Sequence, residues 1–181
     1  NVYNEGTLRW LVRRGARRVC LPPELPLGSI RVLAGLGREE GVAVEVWGHG
    51  RLPLAISGRC YHARLHDRAK DSCQFVCGED PDGRDVETLD GQAFLTVNGV
   101  QTLSQSVASV QDQIAALQDA GVAALRLSPH VGDFPAIARA YSDALAGGPA
   151  LGARLAALMP GATFCDGFVA GRPGASRVGA G

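Results

Sequence analysis

Three of the five cysteines in this chain lie within one short polar segment. Cys60, Cys73 and Cys77 follow one another with the spacing C-x12-C-x3-C. Free cysteines are usually buried in apolar surroundings, whereas these three are embedded among arginine, lysine, aspartate and histidine. Clustered thiolates bind zinc or an iron–sulfur cluster, and neighbouring cations stabilise the thiolate form. The segment therefore predicts a metal centre.

The spacing does not by itself decide which centre this is. Zinc knuckles usually pair cysteines two to four residues apart, in two separate pairs, and only Cys73 and Cys77 are that close. In a helical turn, thiols four residues apart would share one face. A four-iron cluster takes four thiolates, and three are present here. We predict a 4Fe-4S cluster, with zinc and three unrelated thiols as the alternatives.

A fourth thiolate is harder to place. Cys20 ends the segment "RVCL", which is more typical of a buried strand than of a metal ligand. Cys165 precedes a glycine-rich tail and is a weaker choice. Since the chain does not begin with Met, a ligand before Asn1 is the third option.

Further polar residues fall near predicted strand ends, where ligands bind in α/β folds. His49 could bind a substrate carboxylate, or equally end its strand as a turn residue. Arg59 is suited to an anionic substrate or to offsetting cluster charge. Asn98 and Gln101 could bind polar ligand groups, although Asn-Gly is also good turn chemistry. Arg126 lies in an apolar strand and must face a cavity or a partner, because an unpaired buried charge is costly.

Composition restricts the class of protein. Lys and Arg together equal Asp and Glu at 18 each, so the net charge is zero and no global field attracts nucleic acid or an anionic membrane. Aromatic residues make up only 6%, which argues against a base-stacking platform. No apolar run is long enough to span a bilayer, and no secretory signal is visible. We expect a cytoplasmic protein that does not bind nucleic acid generally.

Hydrophobic periodicity and glycine stop signals predict the elements that position these residues. The predicted helices are 5–14, 27–40, 107–119, 137–145 and 151–158, and the predicted strands are 18–21, 42–47, 94–97 and 124–128. The polar stretch between the cysteines and Phe94 is expected to be a loop or hairpin.

The alternation of helices and strands predicts an α/β fold, a parallel sheet with crossover helices. A complete eight-stranded barrel needs about 250 residues, so we expect either a small open sheet or the later part of a TIM-barrel-like domain. Residues 1–159 would form this single domain, incomplete at its N-terminus, with a cysteine-bearing insert at 57–92. Residues 160–181 would be a loose, glycine-rich tail.

Five stretches together resemble the collagenase-like peptidase superfamily, and within it the UbiV branch of oxygen-independent ubiquinone biosynthesis. They are "NVYN" (1–4), "EVWGHGRLPLAISGRCYHAR" (45–64), "KDSCQFVC" (70–77), "LTVNGVQT" (95–102) and "LRLSP" (125–129). The cysteine spacing after "SGRC" is the most specific part. Trp47-Gly48 before "HG" departs from the usual pattern, in which an aromatic and a β-branched residue are more familiar.

The resemblance implies a barrel-like fold and a 4Fe-4S cluster held by Cys60, Cys73 and Cys77, with the fourth cysteine before Asn1. It implies a heterodimer with a UbiU-like paralogue, supporting anaerobic ring hydroxylation with prephenate as the proposed oxygen source. A sterol-carrier-like lipid-binding protein is a further expected partner. Hydroxylation of a tRNA or rRNA base and a non-catalytic metal-binding subunit are the alternatives. Peptidase activity is not expected, because no nucleophile or zinc-hydrolase motif is visible.

Overall fold

The computed structural model describes residues 1–179. Its helices are α1 (Glu5–Val12), α2 (Leu27–Glu39), α3 (Tyr61–Leu65), α4 (Ile114–Ala120), α5 (Phe134–Leu145) and α6 (Leu151–Leu158). Its strands are β1 (Arg18–Cys20), β2 (Ala43–Ile56), β3 (Arg84–Glu87), β4 (Ala93–Asn98), β5 (Gln101–Ser109), β6 (Ala124–Leu127) and β7 (Phe164–Cys165). Two 3₁₀ turns, Lys70–Ser72 and Val76–Glu79, lie in the cysteine-bearing insert.

Helices α1 and α5 begin with side-chain N-caps. Asn4 precedes α1, and its side chain accepts a hydrogen bond from the Thr7 N–H at 2.9 Å. Asp133 precedes α5 and accepts from the Ala136 N–H at the same distance. The helices bury apolar side chains such as Leu8, Leu33 and Ile137 in one core, and this burial provides most of their stability.

The long strand β2 organises the sheet by pairing with different neighbours along its length. Its first part pairs in parallel with β1 and β6, so that Glu45 lies opposite both Cys20 and Ala124. Its second part pairs antiparallel with β5. Strands β3, β4 and β5 form an antiparallel meander, and β7 pairs in parallel with β5.

The α/β class is therefore confirmed, but the prediction of a purely parallel sheet with four strands is wrong. The open sheet has seven strands in the described part of the chain and is mixed. The reason is that β2 runs on to Ile56, and a two-residue loop at Gly99 and Val100 joins β4 to β5. So short a loop allows only antiparallel pairing. A TIM-barrel-like relationship stays a prediction.

The helix predicted from Val107 to Asp119 is wrong in its first half. Val107 ends up in β5, and α4 begins only at Ile114. Val107, Val110, Ile114 and Leu117 have helical spacing, and all four are buried. The first is buried by the sheet, however, because the hairpin pairs it beside Arg51 of β2. Tertiary pairing here overrides the local period.

The tail was expected to be loose, and its described part is ordered instead. Residues 164–165 form β7, in which Cys165 pairs with Ala108 and is only 1% exposed. The side chain of Asp166 is fully buried and accepts hydrogen bonds from residues later in the tail. Within residues 1–179, no helix is long and apolar enough to cross a membrane.

Candidate functional site

The insert holds Cys60 at the start of α3. Cys60 is 8% exposed, and its Sγ accepts a hydrogen bond from the Ala63 N–H at 3.4 Å. Cys73 ends the first 3₁₀ turn, and its Sγ accepts from the Phe75 N–H, also at 3.4 Å. Backbone N–H groups aimed at sulfur stabilise the thiolate form and tune the potential of iron–sulfur clusters.

Cys73 and Cys77 do not share a helical face as predicted. Gln74 and Phe75 between them have left-handed backbone angles, with φ of 54° and 55°. This breaks the segment into two separate 3₁₀ turns, so Cys77 lies on the second. Left-handed backbone at a bulky residue such as Phe is an outlier, and such strain concentrates at functional sites.

All three cysteines carry free thiols, and basic side chains bind the backbone around them. Arg68 donates to the Cys73 carbonyl at 3.0 Å, and Lys70 donates to the Gly58 carbonyl at 3.3 Å. These contacts hold cations near the cysteine segment, where they would offset the charge of thiolates. Arg59 is exposed beside Cys60.

The insert packs on the β4–β5 hairpin, and this joins the cysteines to a cavity. A Cβ on Gly99 would lie 3.9 Å from Cys77 Sγ, so the sulfur sits at the hairpin loop. The neighbouring Asn98 lines a cavity of about 380 Å³, as does Gln101. The Asn98 amide donates to the Pro81 carbonyl at 3.0 Å, which holds the start of β3 against the hairpin end.

The cavity also contains polar residues that the sequence analysis did not single out. Arg51 donates to the carbonyls of Ser104 (3.0 Å) and Gln105 (2.5 Å) and contacts Asp85 at 3.4 Å. Its charge is therefore offset, and the cavity wall is polar without a strong charge. The signal that could have identified Arg51 is a basic residue in an otherwise apolar strand.

His130 is the second missed cavity residue. It follows β6, and its Nδ1 lies 2.6 Å from the Val131 carbonyl. The ring can donate a hydrogen bond to this carbonyl when Nδ1 carries the proton. In that tautomer Nε2 is an acceptor, and it is buried without a hydrogen-bond partner among the described residues. A ligand hydroxyl in the cavity could donate to it. Its position just beyond the carboxyl end of a parallel strand was the available signal.

His49 lies behind the cavity wall and is fully buried. Its Nδ1 lies 3.3 Å from the hydroxyl of Tyr141, which itself donates to the Gly48 carbonyl at 3.0 Å. Burial, and then repulsion from His130, lower the pKa of His49 to about 4. His49 is thus a neutral, hydrogen-bonded part of the core, and burial also raises the pKa of Tyr141.

This depressed pKa predicts a pH dependence of stability. The unfolded chain binds a proton on His49 near pH 6.5, whereas the folded chain does so only near pH 4, so stability falls as the pH drops between these values. The free energy of unfolding should fall by about 2 kcal/mol from pH ~7 to pH ~5 through this residue. In urea unfolding, the His49→Gln variant should lose less free energy of unfolding than the wild type over this pH range, by that amount. An unchanged pH profile would contradict the assignment.

Arg126 and Cys20 lie at a different place, beside Glu45 of β2. Arg126 donates to Glu45 at 2.5 Å, and its side chain is 53% exposed. The expectation of a buried charge that must face a cavity or a partner is therefore wrong, because Glu45 and solvent together accommodate the guanidinium. Burial raises the pKa of Cys20, with Arg126 acting against it, and burial with the nearby Asp166 raises the pKa of Cys165 to about 11. Burial thus disfavours the thiolate form of both groups in the metal-free chain.

The described lining of the cavity does not include His49, Arg59, Arg126 or any cysteine. The structure thus brings Asn98 and Gln101 together, with Cys77 on the adjoining loop, and leaves the other candidates apart. The roles predicted for all of them stay predictions.

No solved structure matches this chain. The narrower resemblance to the UbiV branch stays a prediction, whereas the broader resemblance to the collagenase-like peptidase superfamily is confirmed. A family model described as Peptidase family U32 matches residues 1–174, nearly the whole length, and the chain therefore belongs to Peptidase family U32.

Proposed function

We propose that this chain is an iron–sulfur protein that supports oxygen-independent hydroxylation in ubiquinone biosynthesis. Cys60, Cys73 and Cys77 would hold three corners of a 4Fe-4S cluster, with the fourth thiolate supplied from before Asn1. When bound, such a cluster supplies one-electron transfer. The hydroxylation itself would take place with a UbiU-like paralogue as the second subunit and a lipid-binding protein presenting the precursor.

The observation that carries this proposal is the chemistry of the donor set. Three free thiols lie in one insert, and two of them accept backbone N–H groups as cluster ligands do. Cys20 and Cys165 lie outside the insert, and burial raises the pKa of both thiols. The residues present fit the group, and left-handed backbone at Gln74 and Phe75 supports a functional role for the turn.

The cavity residues suit recognition of a small polar ligand. Asn98 and Gln101 offer amide groups, and His130 offers an unpartnered ring nitrogen. Because Arg51 Nη1 is bound by carbonyls and Nη2 faces Asp85, we expect the neutral groups, not this cation, to orient the ligand. Gly99 between Asn98 and Cys77 keeps the cavity close to the cysteines.

A partner subunit is supported by exposed apolar side chains around the insert. Ile56, Leu65 and Phe75 are 79%, 52% and 83% exposed, and a partner that covered them would remove this apolar surface from water. The paralogue would cover them in the heterodimer.

The test is metal and sulfide analysis of the full-length protein purified without oxygen. We expect about four irons and four sulfides per chain, lost in Cys60→Ala, Cys73→Ala and Cys77→Ala. Cys20→Ala and Cys165→Ala are matched controls that should retain the cluster. Retention of iron in the first three variants, or stoichiometric zinc on these thiols without sulfide, would overturn the proposal.

A further inference from the structure

A second group of metal-ligating side chains lies in the same insert, apart from the thiols. His62 and His66 are four residues apart, beginning on α3, and Asp80 follows the second 3₁₀ turn. One ligand atom from each lies within 4.8 Å of the others. In residues 1–179 no other trio of histidine, cysteine, aspartate or glutamate is that compact.

The two ring nitrogens that face Asp80 have no proper partner. His62 Nε2 lies 3.0 Å and His66 Nε2 lies 3.9 Å from Asp80 Oδ2. Both nitrogens are nevertheless buried without a hydrogen bond of acceptable geometry. His62 is completely buried, and an unsatisfied polar atom there carries a free-energy cost. A cation bound between the three atoms would satisfy all of them at once.

The other nitrogen of His62 is placed as in metal-binding histidines. Its Nδ1 lies 3.3 Å from the Val97 carbonyl. A histidine ligand commonly donates its second ring N–H to a carbonyl, which fixes the tautomer and orients the metal-binding nitrogen. The two rings stack with an interplanar angle of 2° and centroids 5.5 Å apart, and both Nε2 atoms lie within 4 Å of the same Asp80 oxygen.

The geometry points to a divalent zinc site formed by His62 Nε2, His66 Nε2 and Asp80 Oδ2. Two imidazoles and one carboxylate suit Zn²⁺, and they leave a fourth position for water or another ligand. The ion would join α3 to the end of the second 3₁₀ turn. It would thereby link the two ends of the segment that carries Cys73 and Cys77. The zinc site does not depend on what those thiols bind.

The experiment uses the full-length protein purified without oxygen, treated with chelator and then supplied with Zn²⁺. We expect one Zn²⁺ per chain, and X-ray absorption at the zinc edge should show nitrogen and oxygen ligands at about 2.0–2.1 Å. Loss of an outer-shell partner weakens metal binding roughly 10- to 100-fold. His66→Gln and Asp80→Asn each remove a ligand itself, so each should weaken zinc binding by more than that. Asp67→Asn, an exposed carboxylate at the end of α3, is the matched control and should bind as the wild type does.

Three results would overturn this site. One is a sulfur shell at about 2.3 Å, which would place zinc on the cysteines. The second is wild-type zinc content in both His66→Gln and Asp80→Asn, and the third is no zinc in the wild type. Sulfide and iron are measured on the same samples as zinc. The experiment therefore tests the zinc site and the proposed iron–sulfur cluster separately, and either can fail without the other.

Discussion

Asp166→Ala is expected to lower the free energy of unfolding by about 3 kcal/mol, the lower end of the range for breaking a buried ion pair. The Asp166 carboxylate accepts hydrogen bonds from Gln113 (2.8 Å), Arg177 (2.7 Å), Val178 (2.6 Å) and Gly179 (3.0 Å). Its side chain is fully buried, whereas Arg177 is 35% exposed and can recover hydration, which limits the loss. Removing the carboxylate would release the tail from the sheet.

Urea unfolding at neutral pH measures this effect, and Asp143→Asn is the control. Asp143 also pairs with an arginine, Arg154 at 2.8 Å, but it is 54% exposed. An exposed pair of this kind is worth only about 0–1 kcal/mol. Equal effects of the two substitutions would show that the tail does not depend on Asp166.

Acid should remove the same contribution. Burial alone would raise the pKa of Asp166, but the N–H groups of Val178, Gln113 and Gly179 and the charge of Arg177 outweigh it and lower the pKa. A carboxyl group whose folded pKa is lowered stabilises the fold above its unfolded value of about 3.9 and loses that effect as the pH falls further. The stability difference between wild type and Asp166→Ala should therefore narrow only below pH ~4.

The tail shows where sequence patterns reach their limit. "TFCDGF" is too short for a strand period, and the glycines after it favour loops, so nothing local indicates order. The order comes from partners far away in the chain: Ala108 pairs with Cys165, and Gln113 binds Asp166. By contrast, α6 was predicted with its exact observed bounds from periodicity, because a helix is specified by contacts within a few residues.

The same contrast between local and distant partners applies to the candidate site. The cysteine spacing and the turn at Asn98-Gly99 were visible in the sequence, because each depends on neighbouring residues. The cavity lined by Arg51 and His130 was not visible, because strands far apart in sequence come together to form it. Arg126 was expected to be a buried charge facing a cavity or a partner, whereas its side chain is half exposed and pairs with Glu45 through the pairing of β2 with β6.

Gly50→Ala is expected to lower the free energy of unfolding by about 2–6 kcal/mol, because it combines two destabilising changes. Gly50 has φ of +121°, which side-chain-bearing residues rarely adopt. A Cβ there would lie 2.5 Å from the Cβ of Ser128, far inside van der Waals contact. Strained backbone costs roughly 1–3 kcal/mol, and overpacking costs a similar amount.

The two neighbours of Gly50 make the substitution informative about the cavity. His49 on one side is in the core, and Arg51 on the other side lines the cavity with Gly50 and Ser128. Relief of the clash must separate β2 from the end of β6, and this would shift His130. We therefore expect a lower unfolding midpoint in urea together with weaker binding of any cavity ligand.

Gly35→Ala is the control for this substitution. Gly35 lies inside α2, and a Cβ there meets nothing within 4 Å. Replacing an unstrained helical glycine by alanine stabilises a protein by about 0.5–1 kcal/mol, so the two substitutions should have opposite signs. If Gly50→Ala were as stable as the wild type, the close approach of β2 to Ser128 would be wrong. The cavity wall would then have to be built differently, because that approach is what places His130 opposite the hairpin.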